Sequence, residues 1–361
     1  MLTKRTAERN SPRRPRGQAK VAALLAAVMA LAACGGSNET GAPATPAPQP
    51  QSPQPQAPEA PTPDFSGEKL IMVPQFGLAY LPHHAMVQKG FLEARLPGIQ
   101  IEETQLSGGG AVVEQLITGN IDVGYMGIPP YLTAWSRGVD VRVAAGLGSM
   151  PMELMTWKDG YSSLSDIQST DIIAVPGPSS FQAATLRAAA KDLFGDETYF
   201  DAQLVGLAHP DAEAALVGQA EVAAHFGQLP FTRRHKDRGF TNLLSSYEVF
   251  GRHTLIVAVV AGDFETSRPE VFAGFVAALE DATRWIAENP EEAAQLMIDL
   301  GDASELADLV EDVKNADLDW DNIPRNIVTI GAKLLEVGAL DSAPATFEEV
   351  TTSNLHGGQG S

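Results

Sequence analysis

The sequence has a single cysteine, Cys34, among 361 residues. That excludes an intrachain disulfide and any cysteine-rich metal or catalytic cluster, even in a compartment that permits disulfides. The apolar run at residues 21–33 is 13 residues long, too short for a bilayer-spanning helix, which takes about 20. Basic residues are scarce beyond it. Seven of the 25 Lys and Arg stand before residue 21, against one acid there, Glu8. The rest of the chain keeps 18 basic and 44 acidic residues, a formal charge of −26. Such a surface excludes nucleic acid and anionic membrane as partners, but a small ligand in a cleft answers to local fields instead. Catalytic signatures are missing too: there is no Gly-x-Ser-x-Gly elbow, no Gly-x-Gly-x-x-Gly after the first strand, no phosphate loop and no His-Glu-x-x-His. An enzyme is therefore not expected, nor a cofactor.

What is present begins with order at the N-terminus. Lys4, Arg5, Arg9, Arg13, Arg14, Arg16 and Lys20 precede the apolar run, and small residues close it. A basic region, a short apolar region and small residues read as a secretory signal. Leu31-Ala32-Ala33-Cys34 resembles a bacterial lipobox. In that reading residues 1–33 are a lipoprotein signal peptide and Cys34 is the lipid attachment point at the new N-terminus. The alternative is an ordinary signal with an incidental cysteine. Residues 34–64 then form a tether. From 41 to 63 Pro alternates with Ala, Gln, Ser and Thr, a composition that stays extended because it buries too little to fold. At about 3.1 Å per residue these 23 residues reach up to roughly 70 Å. A tail without a role fits the composition equally well.

From Phe65 onward the chain is long enough for two α/β lobes. Short apolar strands ("KLIMV", "IDVGYMG", "VDVRVAAG") alternate with helical stretches ("LPHHAMVQ", "GGAVVEQLITG", "IPPYLTAWSRG"). A second set follows: "DIIAVPG", "FQAATLRAAAKDLFG", "AQLVGL", "HPDAEAALVGQ" and "AEVAAHF". Strands alternating with helices predict mostly parallel sheets flanked by helices. "TLIVAVVAG" reads as a buried strand, and the remainder is helical. Ser267 with Glu270, and Asn289 with Glu292, are spaced as helix-capping boxes.

Three stretches resemble a family of solute-binding proteins, those of ABC importers for nitrate, sulfonates and the thiamine pyrimidine. They are "IMVPQFGLAYLPHHAMVQKGFLE", "GGGAVVEQLITGNIDVGYMGIPPYLTAWSRGVDVRVAAG" and "IAVPGPSSFQAATLRAA". The likeness covers about residues 68–340. It implies a two-lobed periplasmic-binding-protein fold of type II, with residues 65–154 and 255–350 in lobe 1, 155–254 in lobe 2 and 351–361 as a tail. Crossovers are expected near 152–158 and 251–257. It also implies a monomer that holds a small molecule between its lobes and delivers it to an ABC permease in the membrane. The family's enzyme branch, which makes the thiamine pyrimidine, relies on a cysteine-rich motif that this chain lacks.

Ligands of open α/β sheets sit where strands end and helices begin, because helix N-termini aim amides into the cleft. The strand-end turns give Gln75, Phe76, Gly77 and Tyr80; Ser107, Gly108 and Gly109; Gly127; and Ser179 and Ser180. His225 and Phe226 at the end of another strand complete the candidate ligand-binding set. Each has a plainer reading. Ser179 with Gln182 also makes a capping box, the glycines also make turns, Tyr80 also suits a core, and His225 also suits a strand end. His83 and His84 are adjacent and do not share a helix face, so no metal site is expected. Arg233 and Arg234 read as a solvated helix face. With aromatic walls and no Lys or Arg in these turns, an organic sulfonate or carboxylate is the expected ligand and a pyrimidine ring the alternative.

Overall fold

The computed structural model describes residues 63–358 and 360–361; the signal segment, Cys34 and the tether up to residue 62 lie outside the described residues. The chain first lays down β1 (Lys69–Val73), α1 (Leu81–Gln88), α2 (Phe91–Arg95), β2 (Gln100–Glu103), α3 (Gly109–Ile117), β3 (Val123–Gly127), α4 (Ile128–Ser136) and β4 (Val141–Gly146). The second lobe follows with β5 (Glu153–Thr156), β6 (Ile172–Val175), α5 (Phe181–Phe194), β7 (Leu204–Gly206), α6 (His209–Val217), β8 (Val222–Gly227), α7 (Phe231–Asp237), β9 (Thr241–Ser245) and α8 (Ser246–Phe250). The chain then returns through β10 (Ile256–Ala261), α9 (Phe264–Ser267), α10 (Pro269–Glu288), α11 (Pro290–Asp299), α12 (Leu306–Val313) and α13 (Ile327–Glu336).

Two five-stranded sheets result, ordered β2-β1-β3-β10-β4 and β7-β6-β8-β5-β9. In each, one strand runs against the others: β10 is antiparallel to β3 and β4, and β5 to β8 and β9. These two strands arrive from the opposite lobe rather than over a crossover helix, so they enter from the hinge end. A parallel neighbour would need a helical return. β3 is buried at every residue and β10 at all but Ala261, as strands covered on both faces must be. On α10, Phe272, Phe275, Val276, Leu279 and Ile286 form the apolar face that is buried in lobe 1.

The structure corrects the lobe boundary and the capping boxes and adds a strand. The expected lobe boundary at 154 falls inside β5, which belongs wholly to the second sheet. Strand β9 is an addition; Thr241 and Asn242 at its start are exposed, so it lacks a strong apolar pattern. Neither expected box on α10 and α11 forms. Ser267 is the last residue of α9, and Arg268 is the N-cap of α10 without a side-chain bond. Pro269 needs no donor there, and the Arg268 side chain binds Asp122, Glu68 and the Lys69 carbonyl. Asn289 turns back to donate to the Trp285 carbonyl, at 3.0 Å.

The two connections between sheets are tied to each other. The Met152 amide donates to Ser246 Oγ at 2.9 Å, and His253 Nε2 lies 3.1 Å from the same oxygen. His253 Nδ1 is 3.2 Å from the Thr254 carbonyl, which only accepts, so Nδ1 carries the proton and Nε2 receives the Ser246 hydroxyl. All three residues are buried. Ser246→Ala leaves an amide and an imidazole nitrogen unpaired, and an unfolding titration should show a loss of about 1–3 kcal/mol. An unchanged midpoint would contradict this account of the hinge.

Candidate functional site

Four helices begin at one small chamber between the lobes. α3 and α4 follow β2 and β3 in lobe 1; α5 and α6 follow β6 and β7 in lobe 2. Gly109, Gly127, Ser180 and His209, at the starts of these helices, all line the chamber. Gln75, Phe76, Tyr80 and Ser107 complete the first-lobe wall with Pro130, Leu255 and Ile256; Pro176, Phe181, Gln182 and Gln228 complete the other. The enclosed space is about 30 Å³, room for about two waters. No Asp, Glu, Lys or Arg is among the lining residues. The fixed electrostatics are therefore those of helix N-termini, each equivalent to about half a positive charge. α4 adds few free amides, since Pro129 and Pro130 follow Ile128 at its start.

The polar side chains are set by local bonds. Ser180 is the N-cap of α5: its Oγ accepts from the Ala183 amide at 3.2 Å, and its hydroxyl proton remains free to donate. Gln75 donates to the Tyr125 carbonyl at 2.9 Å, and Gln228 Nε2 crosses to the Phe76 carbonyl at 2.8 Å. Gln182 Nε2 lies 3.4 Å from His209 Nε2, whose Nδ1 is 2.9 Å from His225 Nε2.

Of the residues expected from sequence, Gln75, Phe76, Tyr80, Ser107, Gly109, Gly127 and Ser180 line the chamber. The others do not. Ser180 rather than Ser179 caps α5, and Gln182 reaches His209 instead of completing a box. Ser179 lines a separate groove of about 350 Å³ between α4, α5 and α13. His225 and Phe226 are fully buried; His209 stands between His225 and the chamber, and Phe226 lies in the core. Gly77 opens with Phe76 onto an outer groove of about 530 Å³ on the other side.

The glycines have a different role from the expected one. A Cβ on Gly77 would lie 2.6 Å from Gln228 Nε2, one on Gly108 2.9 Å from the Pro176 carbonyl, one on Gly110 2.7 Å from Ser179 Oγ, and one on Gly127 2.9 Å from Phe181 Cβ. Every one of those partners belongs to lobe 2. The bare backbone of lobe 1 admits the other lobe, so the rim closes on protein. Gly109 is the exception, crowded by Pro130 and Met126 of its own lobe.

Arg233 and Arg234 are not a solvated face. Both cross to the C-terminal part of lobe 1: Arg233 to Asp312 and Glu311 on α12, Arg234 to Asp302 and Ser304 in the connection between α11 and α12. Burial pushes the Asp312 carboxyl up to about 6, against the lowering effect of Arg233.

His209, His225 and His235 form a buried row with ring centroids 5.1 and 5.2 Å apart. Burial lowers His209 to about 3 and His235 to about 4, and holds His225 well below its usual value. The unfolded chain, with imidazoles near 6.5, binds more protons in this range, so stability is full above about pH 6.5 and falls as the pH drops toward 4. Denaturant midpoints should decline between pH 7 and 5, and His209→Gln should flatten that decline. A pH-independent midpoint would contradict the buried, neutral state of this row.

Comparison with known proteins agrees with this architecture. The NMT1-like family profile matches residues 76–300. No curated protein sequence matches. Among solved structures, a protein from Bordetella bronchiseptica RB50 aligns with a TM-score of 0.68 at 19% identity, covering 80% of this chain and 96% of its own. The periplasmic nitrate-binding protein NrtA of Synechocystis PCC 6803 gives 0.63 at 15%, covering 78% and 83%. The alkanesulfonate-binding protein SsuA of Xanthomonas axonopodis pv. citri, bound to MOPS, gives 0.61 at 17%, covering 75% and 94%. The fold is that of the periplasmic binding proteins, and with most of its length matched the chain belongs to the NMT1-like family.

Proposed function

We propose that the protein is an extracytoplasmic solute-binding protein of an ABC importer, and that it takes a small organic anion, a sulfonate or carboxylate, by its head group. The observation that carries this reading is the meeting of four helix N-termini in a chamber without charged side chains. The chamber has room for only about two waters, so amide dipoles act there with little screening. The head group would sit on the amides opening α3 and α5 and on the hydroxyls of Ser107 and Ser180. Phe76, Tyr80 and Phe181 offer apolar wall to the carbon next to it. Phe76 also borders the outer groove, which gives a longer tail somewhere to go. The lobes would open about the segments near Met152 and His253 to admit the solute and close over it.

A thermal-shift screen of sulfonates, carboxylates and uncharged pyrimidines should show stabilisation by the anions, since a ligand of the folded state raises its stability. Ser180→Ala removes a bond to a charged group, worth about 1.5–3 kcal/mol, and should weaken binding about tenfold or more. As the N-cap it should also cost about 1 kcal/mol of stability. Ser179→Ala should leave affinity unchanged. Stabilisation by pyrimidines alone would overturn the anion reading in favour of a ring binder.

We also infer that Cys34 carries a lipid and that residues 34–64 hold the domain off the membrane. Cys34→Ala should move the protein from the membrane fraction to the soluble one, or leave it unprocessed. Undiminished membrane attachment of that variant would sink the anchor.

A further inference from the structure

The outer groove differs in charge from the chamber that it adjoins. Gln75 and Phe76 line both spaces. The chamber lining has no charged side chain, whereas the groove has Glu103, Glu213 and Asp302 against Arg234 alone. Arg234 is already engaged by two of these carboxylates, at 2.7 Å from Glu213 and 3.2 Å from Asp302. His84, also in the groove lining, adds no positive charge, because burial and the neighbouring His83 lower it to about 3. Glu103 is therefore the carboxylate of this groove that no cation balances.

Two hydrogen bonds fix acceptors along the groove. His83 Nε2 lies 2.6 Å from Glu103 Oε1, while His83 Nδ1 is buried without a partner. A charged imidazole would place an orphaned N–H at Nδ1, so the ring is neutral and donates through Nε2. That bond holds Glu103 below the usual carboxylate range and orients its side chain, one third of which is exposed. Gln75 is only 8% exposed. Its Nε2 donates to the Tyr125 carbonyl at 2.9 Å, which accepts only, so the amide cannot be the other way round. Its Oε1 has no partner among the described residues. Phe76 adds an aromatic ring between the two spaces, and ring faces attract cations. Glu103, His83, Gln75, Phe76 and Tyr125 all belong to lobe 1, so this arrangement does not depend on how closely the lobes approach.

We propose that Glu103, Gln75 and Phe76 form a cation subsite, and that the solute is bipolar, with its anionic head group in the chamber and a cationic nitrogen on the tail that follows it into the groove. An ammonium there donates to Gln75 Oε1 and to the free oxygen of Glu103, both fixed beforehand and so ordered at little cost. A second anionic end is turned away by the same carboxylates. The proposal rests on the anion reading of the chamber, and its test separates the two.

The test is titration calorimetry with straight-chain alkanesulfonates, the same sulfonates bearing a terminal ammonium, and those bearing a terminal carboxylate, over a series of chain lengths. At the best chain length the ammonium compound should bind about tenfold or more tightly than its methyl-ended counterpart, the worth of one charge-assisted hydrogen bond. The carboxylate-ended compound should bind more weakly than either. Glu103→Gln keeps the shape and the bond from His83 and should shrink the ammonium's advantage to about twofold or less. Glu102→Gln, at an exposed residue paired with Lys69 outside the groove, should preserve that advantage. Sulfonates that bind with no preference for an ammonium tail at any length would overturn the cation subsite and leave the anion reading standing. An ammonium preference that survives Glu103→Gln would overturn the assignment to Glu103. Failure of every sulfonate to bind would overturn the anion reading and the subsite with it.

Discussion

The cleft depends on how closely two rigid lobes approach, and the first lobe permits that approach by presenting backbone where side chains would stand. Gly77, Gly108, Gly110 and Gly127 each face an atom of lobe 2 at a distance that no Cβ tolerates. Contact at that range brings the Leu78 amide to the Leu229 carbonyl at 2.9 Å and Gln228 to the Phe76 carbonyl. It also leaves only a small space at the centre. A methyl at Gly108, against the Pro176 carbonyl, or at Gly127, against Phe181 Cβ, would press the lobes apart, whereas at Gly77 and Gly110 the ends of the Gln228 and Ser179 side chains would first have to shift.

Closure and electrostatics are linked through the small size of that space. A helix terminus in water is a weak partner for an anion; in a chamber with room for only about two waters the same amides are far stronger. The chain carries a large negative charge overall, yet the lining has none. Using dipoles avoids burying an arginine that would need a carboxylate beside it while the chamber is empty, with the desolvation cost that such a pair entails. The arginines near the cleft do have such carboxylates, and they stand outside the chamber, where they act between lobes.

The alternation of strands and helices was legible because both periods are strong in "KLIMV", "VAVVA" and the stretch after Phe181. Strand-end turns followed from it, and with them Gln75, Phe76, Ser107, Gly109, Gly127 and Ser180. His209 occupies an equivalent turn, between "AQLVGL" and "HPDAEAALVGQ", but the strand before it has three residues, none buried, so nothing in the local pattern marks this side chain as facing a cleft. His225 ends a strand at a position that the family resemblance marks for a ligand contact, but its side chain lies behind His209. Gln228, Leu255 and Ile256 depend on how the lobes face each other, which no local pattern carries. The same holds for Arg233 and Arg234, whose partners on the other lobe stand 68 to 79 residues away in sequence. A charged pair on a short helix reads as solvated until the other lobe is in place.

The central claim is that helix amides hold a negative head group in an uncharged chamber. Titration calorimetry with a short alkanesulfonate and the sulfonamide of the same carbon skeleton isolates it, since the two differ little in shape and by one charge. The account expects the sulfonate to bind at least about tenfold more tightly, the worth of one charge-assisted hydrogen bond. Equal affinity for the two, or preference for the neutral sulfonamide, would contradict it.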